Sequence, residues 1–128
     1  MKPSEILFIA SKHNLLDYVK KALNKGVDIN IGNVEGKTAL MEASKFGHIG
    51  VVAYLTELGA DLNIRDKNHK TAIMFASMNG HFSIVKYLTE SGADVFAQDN
   101  YGNTAYHITN NNYISDYLHH RMVNNVNN

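Results

Sequence analysis

The groups in this chain that could carry chemistry are its seven histidines and its twelve acidic residues, and their spacing decides what that chemistry could be. His48 and His81 each follow a glycine and stand one 33-residue interval apart. His107 lies three residues after Thr104, and His119 and His120 are adjacent. Neighbouring residues on a helix point about 100° apart, so the His119–His120 pair does not share a face as an i, i+4 metal pair would. No Ser-His-Asp spacing and no glycine-rich phosphate loop is present. The absence of cysteine removes disulfides, thiolate zinc sites and a Cys nucleophile together. No catalytic residue, no cofactor and no metal site is expected from these residues. Asp28, Asp61 and Asp94 also recur at the 33-residue interval, with Asn30 and Asn63 two residues after the first two. Aspartate and asparagine in such places ordinarily bond turn backbone, so they are read as structural.

These residues need a frame to hold them, and the chain repeats one. Lys37-Thr38-Ala39-Leu40-Met41, Ala43, Gly47-His48, Val51-Val52, Leu55 and Gly59-Ala60-Asp61 return 33 residues later as Lys70-Thr71-Ala72-Ile73-Met74, Ala76, Gly80-His81, Ile84-Val85, Leu88 and Gly92-Ala93-Asp94. A sustained period of this size marks a stacked-repeat architecture in which no unit buries its apolar face alone.

The frame resembles the ankyrin repeat, with its D-x-x-G-x-T-P-L-H-x-A opening, its Gly-His pair and its closing G-A-D-V-N. The resemblance covers nearly the whole chain and implies an all-α solenoid of about four helix-turn-helix units joined by β-turn or hairpin loops. Residues 1–123 then form a single domain. Its units are an N-terminal cap over 1–32, two full units over 33–65 and 66–98, and a C-terminal cap over 99–123. Residues 124–128 are read as a disordered, Asn-rich tail.

Departures from the frame are local. Where the family usually has proline, this chain has Ala39, Ala72 and Ala105, which a helix tolerates well. Thr38 is placed to cap the helix that follows it. The first unit is expected to place helices near Ser4–His13 and Leu15–Asn24, with Leu15, Val19, Ala22 and Leu23 forming an apolar stripe. Tyr18, Tyr54 and Tyr87 are expected to be half-buried. His69 stands where Gly36 and Gly102 stand in the other turns, so a left-handed backbone is expected there. In the fourth unit the pattern returns at an offset of 30, and three residues are missing near Asn110-Asn111-Asn112.

The remaining function is binding. In the ankyrin family the turn tips and the exposed side of the inner helices form a concave contact surface. Matched positions here are Val34, Glu35, Lys37, Lys45 and Phe46 from the second unit. The third supplies Arg65, Lys67, Asn68, Lys70, Met78 and Asn79, and the fourth Asn100, Tyr101 and Asn103. Lys37, Lys45, Arg65, Lys67 and Lys70 outnumber Glu35, Glu42 and Asp66 on that face, although the whole chain carries a formal charge of +0. The expected partner is therefore another protein with an acidic surface, gripped by Phe46 and Tyr101 as anchors. The small stand-alone chain would serve as an adaptor or inhibitor. Neutrality argues against nucleic acid. No apolar run reaches the roughly 18 residues of a membrane span. Met1-Lys2-Pro3-Ser4-Glu5 has no basic segment leading into an apolar core, so a cytoplasmic monomer is expected. Self-assembly with no external partner is the alternative reading.

Overall fold

The computed structural model describes residues 1–127, and the side chains of residues 1–124. Eight helices and no strand make up the described residues: α1 (Pro3–Lys12), α2 (Leu16–Asn24), α3 (Ala39–Lys45), α4 (Ile49–Glu57), α5 (Ala72–Met78), α6 (Phe82–Glu90), α7 (Ala105–Ile108) and α8 (Asn112–Asn127). They pair as four units. Helices α1, α3, α5 and α7 pack in sequence to form an inner row, and α2, α4, α6 and α8 form an outer row behind it. This is the architecture implied by the repeat frame.

The apolar positions of the period become the core. Val51, Val52 and Leu55 of α4 and Ile84, Val85 and Leu88 of α6 are fully buried, and the last helix contributes Ile114 and Leu118 at its shifted register. Small residues let the inner helices approach: Ala10, Ala43 and Ala76 are buried at the matching places on α1, α3 and α5. Next to them runs a buried serine row, Ser11, Ser44 and Ser77, whose spacing equals the period. Ser77 Oγ donates to the Ala105 carbonyl of the next unit at 2.6 Å.

Polar side chains tie successive units together. Thr38 Oγ1 accepts from the Met41 amide at 3.3 Å, the capping bond expected from its position. Asn30 Oδ1 accepts from Asp61 N, and Asn63 Oδ1 from Asp94 N, each at 2.9 Å and each across a unit boundary. Asp28, Asp61 and Asp94 accept from backbone amides two residues ahead. The repeating aspartates and asparagines are thus occupied with backbone, as the turn reading required.

Two sequence expectations need correction. Leu15 is not part of the buried stripe of α2; it precedes the helix and is exposed, while Val19 and Ala22 are buried. Tyr18 is also exposed: it occupies the place of Val51 and Ile84, but among the described units none precedes the first to cover it. Helix α8 runs past Val123 to Asn127. The expectation of a disordered tail over 124–128 falls mostly outside the described side chains. The N-terminal unit closes its own end with Lys2 N donating to Glu5 Oε2 at 3.4 Å.

Candidate protein-binding surface

Each turn between units is built from one side chain. Asn33 Oδ1 accepts from the amides of Glu35 and Lys37 at 2.9 and 3.0 Å. Asp66 Oδ1 accepts from Asn68 and Lys70 at 2.9 Å each, and Asp99 Oδ1 from Tyr101 and Asn103 at 2.9 and 3.0 Å. A backbone bond closes each loop: Asn33 N to Lys37 O, Asp66 N to Lys70 O and Asp99 N to Asn103 O. The loops then join sideways, Lys67 N donating to Glu35 O at 2.9 Å and Asn100 N to Asn68 O at 3.1 Å. Asp66 is therefore a buried turn residue and not a charge on the surface.

The fourth residue of each loop needs a left-handed backbone, with φ of +77° at Gly36, +61° at His69 and +77° at Gly102. His69 thus adopts the geometry expected for it. Asn14, at the place of Gly47 and Gly80, does the same at φ +61°, a position that the sequence reading had not singled out.

Bonded this way, the loops lift two apolar side chains into solvent: Val34 is 101% exposed and Tyr101 is 83% exposed. Asn68 and Asn100 are exposed beside them, and Arg65 and Lys67 are exposed on the third unit's side. Asn103 is half-buried.

A second group stands at the other end of the inner helices. Phe46 is the residue after α3, so seven helical residues separate it from Thr38, about 12 Å along the axis. Phe46 is 39% exposed, and Met78 and Asn79 are exposed at the matching end of α5. Asn79 Nδ2 is spent on the Phe75 carbonyl at 2.8 Å. The Lys12 and Lys45 ammonium groups each lie 5.4 Å from the centre of the Phe46 ring. Lys12 was missed by sequence reasoning, although it precedes Lys45 by one period.

The expected continuous basic patch divides along these lines. Lys70 Nζ bonds Asp99 Oδ2 at 2.7 Å, with side chains only 17% and 1% exposed. Lys37 and Lys67 both reach Glu35 Oε2, at 4.0 and 3.8 Å. The Lys37 ammonium also lies 5.5 Å from the centre of the Phe75 ring, which it covers. Three of the five expected cations are thus engaged within the turns. Burial pushes the Asp99 carboxyl up, but the Lys70 ammonium and the Asn103 and Tyr101 amides outweigh it and hold the group below the ordinary aspartate range.

The histidines serve as braces. His48 Nε2 meets the Lys12 carbonyl at 2.7 Å and His81 Nε2 the Lys45 carbonyl at 2.9 Å, each across a unit boundary. A carbonyl only accepts, so Nε2 carries the proton in both. His107 Nδ1 accepts from Thr104 N at 3.2 Å within its own unit. Among the described residues no three His, Asp or Glu side chains are grouped to hold a metal ion. None of the described helices is long and apolar enough to cross a membrane.

Two-helix units, stacked by period-matched side chains and carrying bonded loops along one edge, define a helical-repeat solenoid. The chain belongs to the ankyrin-repeat family: the family model described as ankyrin repeats (many copies) matches residues 7–56 and again residues 43–89. No curated protein matches it. Ankyrin repeats are in general protein–protein interaction modules and are not typically enzymes.

Proposed function

We propose that this chain is a binding module, a small adaptor or inhibitor that holds a partner protein against its concave face. The observation that carries the reading is the contrast between frame and surface. Loop backbones are fixed by bonds within and between units, whereas the side chains they present differ from unit to unit: Val34, Lys67 and Asn100 follow one another along the edge. A rigid edge spares the complex the ordering cost that a mobile loop would impose. Tyr101 and Phe46 act as anchors, since large exposed rings contribute disproportionately to protein contacts. The partner offers an acidic surface, and binding takes place in the cytoplasm with the module as a monomer.

The test is capture of partners from the source cell on the immobilised chain, read by mass spectrometry. Proteins retained by the parent chain should be lost from a Tyr101→Ala, Phe46→Ala variant that melts like the parent. Retention of the same proteins by that variant would place binding elsewhere. Concentration-dependent growth of the chain in light scattering, with no retained protein, would favour self-assembly.

A further inference from the structure

We propose that the acidic element of the partner docks on the Lys12–Phe46–Lys45 cluster at the distal end of the inner helices, and not on the lysines of the turn tips. The inference rests on the protein-binding reading and fixes where, and by what chemistry, the concave face takes its ligand.

Charge already satisfied is of little use to a ligand. Lys70 is held by a buried aspartate, and Lys37 and Lys67 share Glu35. A carboxylate arriving at the tips must compete with these internal partners. Lys12 and Lys45 differ. Among the described residues neither ammonium has a carboxylate within 4.0 Å. What each has is the Phe46 ring, with its centre 5.4 Å away. A ring attracts a cation without neutralising it, so both positive charges stay available while their positions are biased.

The geometry limits the ligand. Both ammonium groups lie at the same distance from one ring centre, so they are no further apart than twice that distance. An extended chain rises about 3.3 Å per residue, so carboxylates up to roughly three residues apart can meet both. Phe46 lies within reach of both cations and remains partly exposed, and at the next step of the period Met78 stands where Lys12 and Lys45 stand. The sequence of sites across units one to three is cation, cation, thioether, with an aromatic ring beside the second. It suits a short segment carrying two carboxylates and an apolar side chain: the acids settle on Lys12 and Lys45, and the apolar group covers Phe46 and Met78. Nucleic acid fits poorly, because two lysines around a hydrophobic ring supply neither a charged track nor more than one stacking surface.

Selection of a random peptide library, displayed on phage, against the full chain tests this. Selected peptides should combine Asp or Glu with an aliphatic or aromatic residue, and their affinity should fall with salt. Lys12→Glu with Lys45→Glu should weaken them at least roughly tenfold, and Phe46→Ala should weaken them mainly through faster dissociation. Lys12→Arg with Lys45→Arg should retain binding, and Lys67→Glu should change it by less than about twofold. Thermal melts matching the parent exclude unfolding as the cause. Peptides lacking acids, or binding undisturbed by the double Glu variant, overturn the inference. Displacement by inorganic phosphate as effective as by a free acidic peptide would also overturn it, showing a generic anion site. Loss of binding in Lys67→Glu alone would refute this location and leave the protein-binding reading standing. Failure to select any peptide rejects the cluster as a peptide site, while partner capture judges the broader function separately.

Discussion

Lys70 Nζ lies 2.7 Å from Asp99 Oδ2, and the pair joins the third unit to the turn that opens the fourth. Asp99 also organises its own loop through Oδ1, so one carboxylate fixes a turn and ties it to the neighbouring unit. Such a pair orders the edge on which Tyr101 is displayed.

The pair makes stability depend on pH. Asp99 titrates below its ordinary value of 3.8 in the folded chain, so its contribution is complete above that value and is lost as pH falls through the lower folded value. Lys70→Met should cost about 1–3 kcal/mol near neutral pH, as for loss of a charged hydrogen bond. It should also narrow the stability difference between pH 7 and strong acid, read by urea unfolding at several pH values. An unchanged pH profile would mean that the loop amides alone hold the carboxylate. Lys70→Glu should be worse than Lys70→Met, because it sets a second carboxylate against a buried one.

The stack depends on its middle units. Leu55 and Leu88 are fully buried on α4 and α6. Leu55→Ala or Leu88→Ala should each cost about 2–5 kcal/mol in chemical denaturation. Unchanged midpoints in both variants would contradict the packing of the outer row.

The three turns should respond differently to substitution at their left-handed position. His69→Gly should leave stability unchanged or raise it by up to about 1 kcal/mol, since glycine accepts φ near +61° without a Cβ penalty. Gly36→Ala should destabilise more than Gly102→Ala. A Cβ at 36 would come within 3.3 Å of the Asp66 Cα and Lys67 N, whereas a Cβ at 102 meets open space. Thermal melts rank the three. A marked loss in His69→Gly would mean that the imidazole makes contacts stronger than the strain.

His81 bridges the second and third units through the Lys45 carbonyl. His81→Ala should cost about 1–2 kcal/mol, from one lost hydrogen bond and the space left beside Gly47. Hydrogen exchange would check the location: amides of α3 and α5 should lose protection together if the brace couples the units, and separately if it does not.

The sequence by itself determined the repeat. A 33-residue period in Thr, Ala, Gly-His and paired aliphatic residues is legible because each position meets the same neighbours in every unit, so local pattern and global packing agree. The left-handed turn at His69 was legible for the same reason, from the glycines at equivalent places. Only the tertiary structure decided which charges remain available. A lysine stem spans several ångströms, so Lys70 reaches Asp99 in the next unit and Lys67 reaches Glu35 in the previous one. Counting residues on a face treats all of these as equal. Lys12 joined Phe46 by the same logic: two residues 34 apart in sequence meet because stacking sets one unit's helix end beside the next. Tyr18 and Leu15 show the converse. They occupy repeat positions but remain exposed, because the neighbour that would cover them is a preceding unit, and none precedes the first among the described residues.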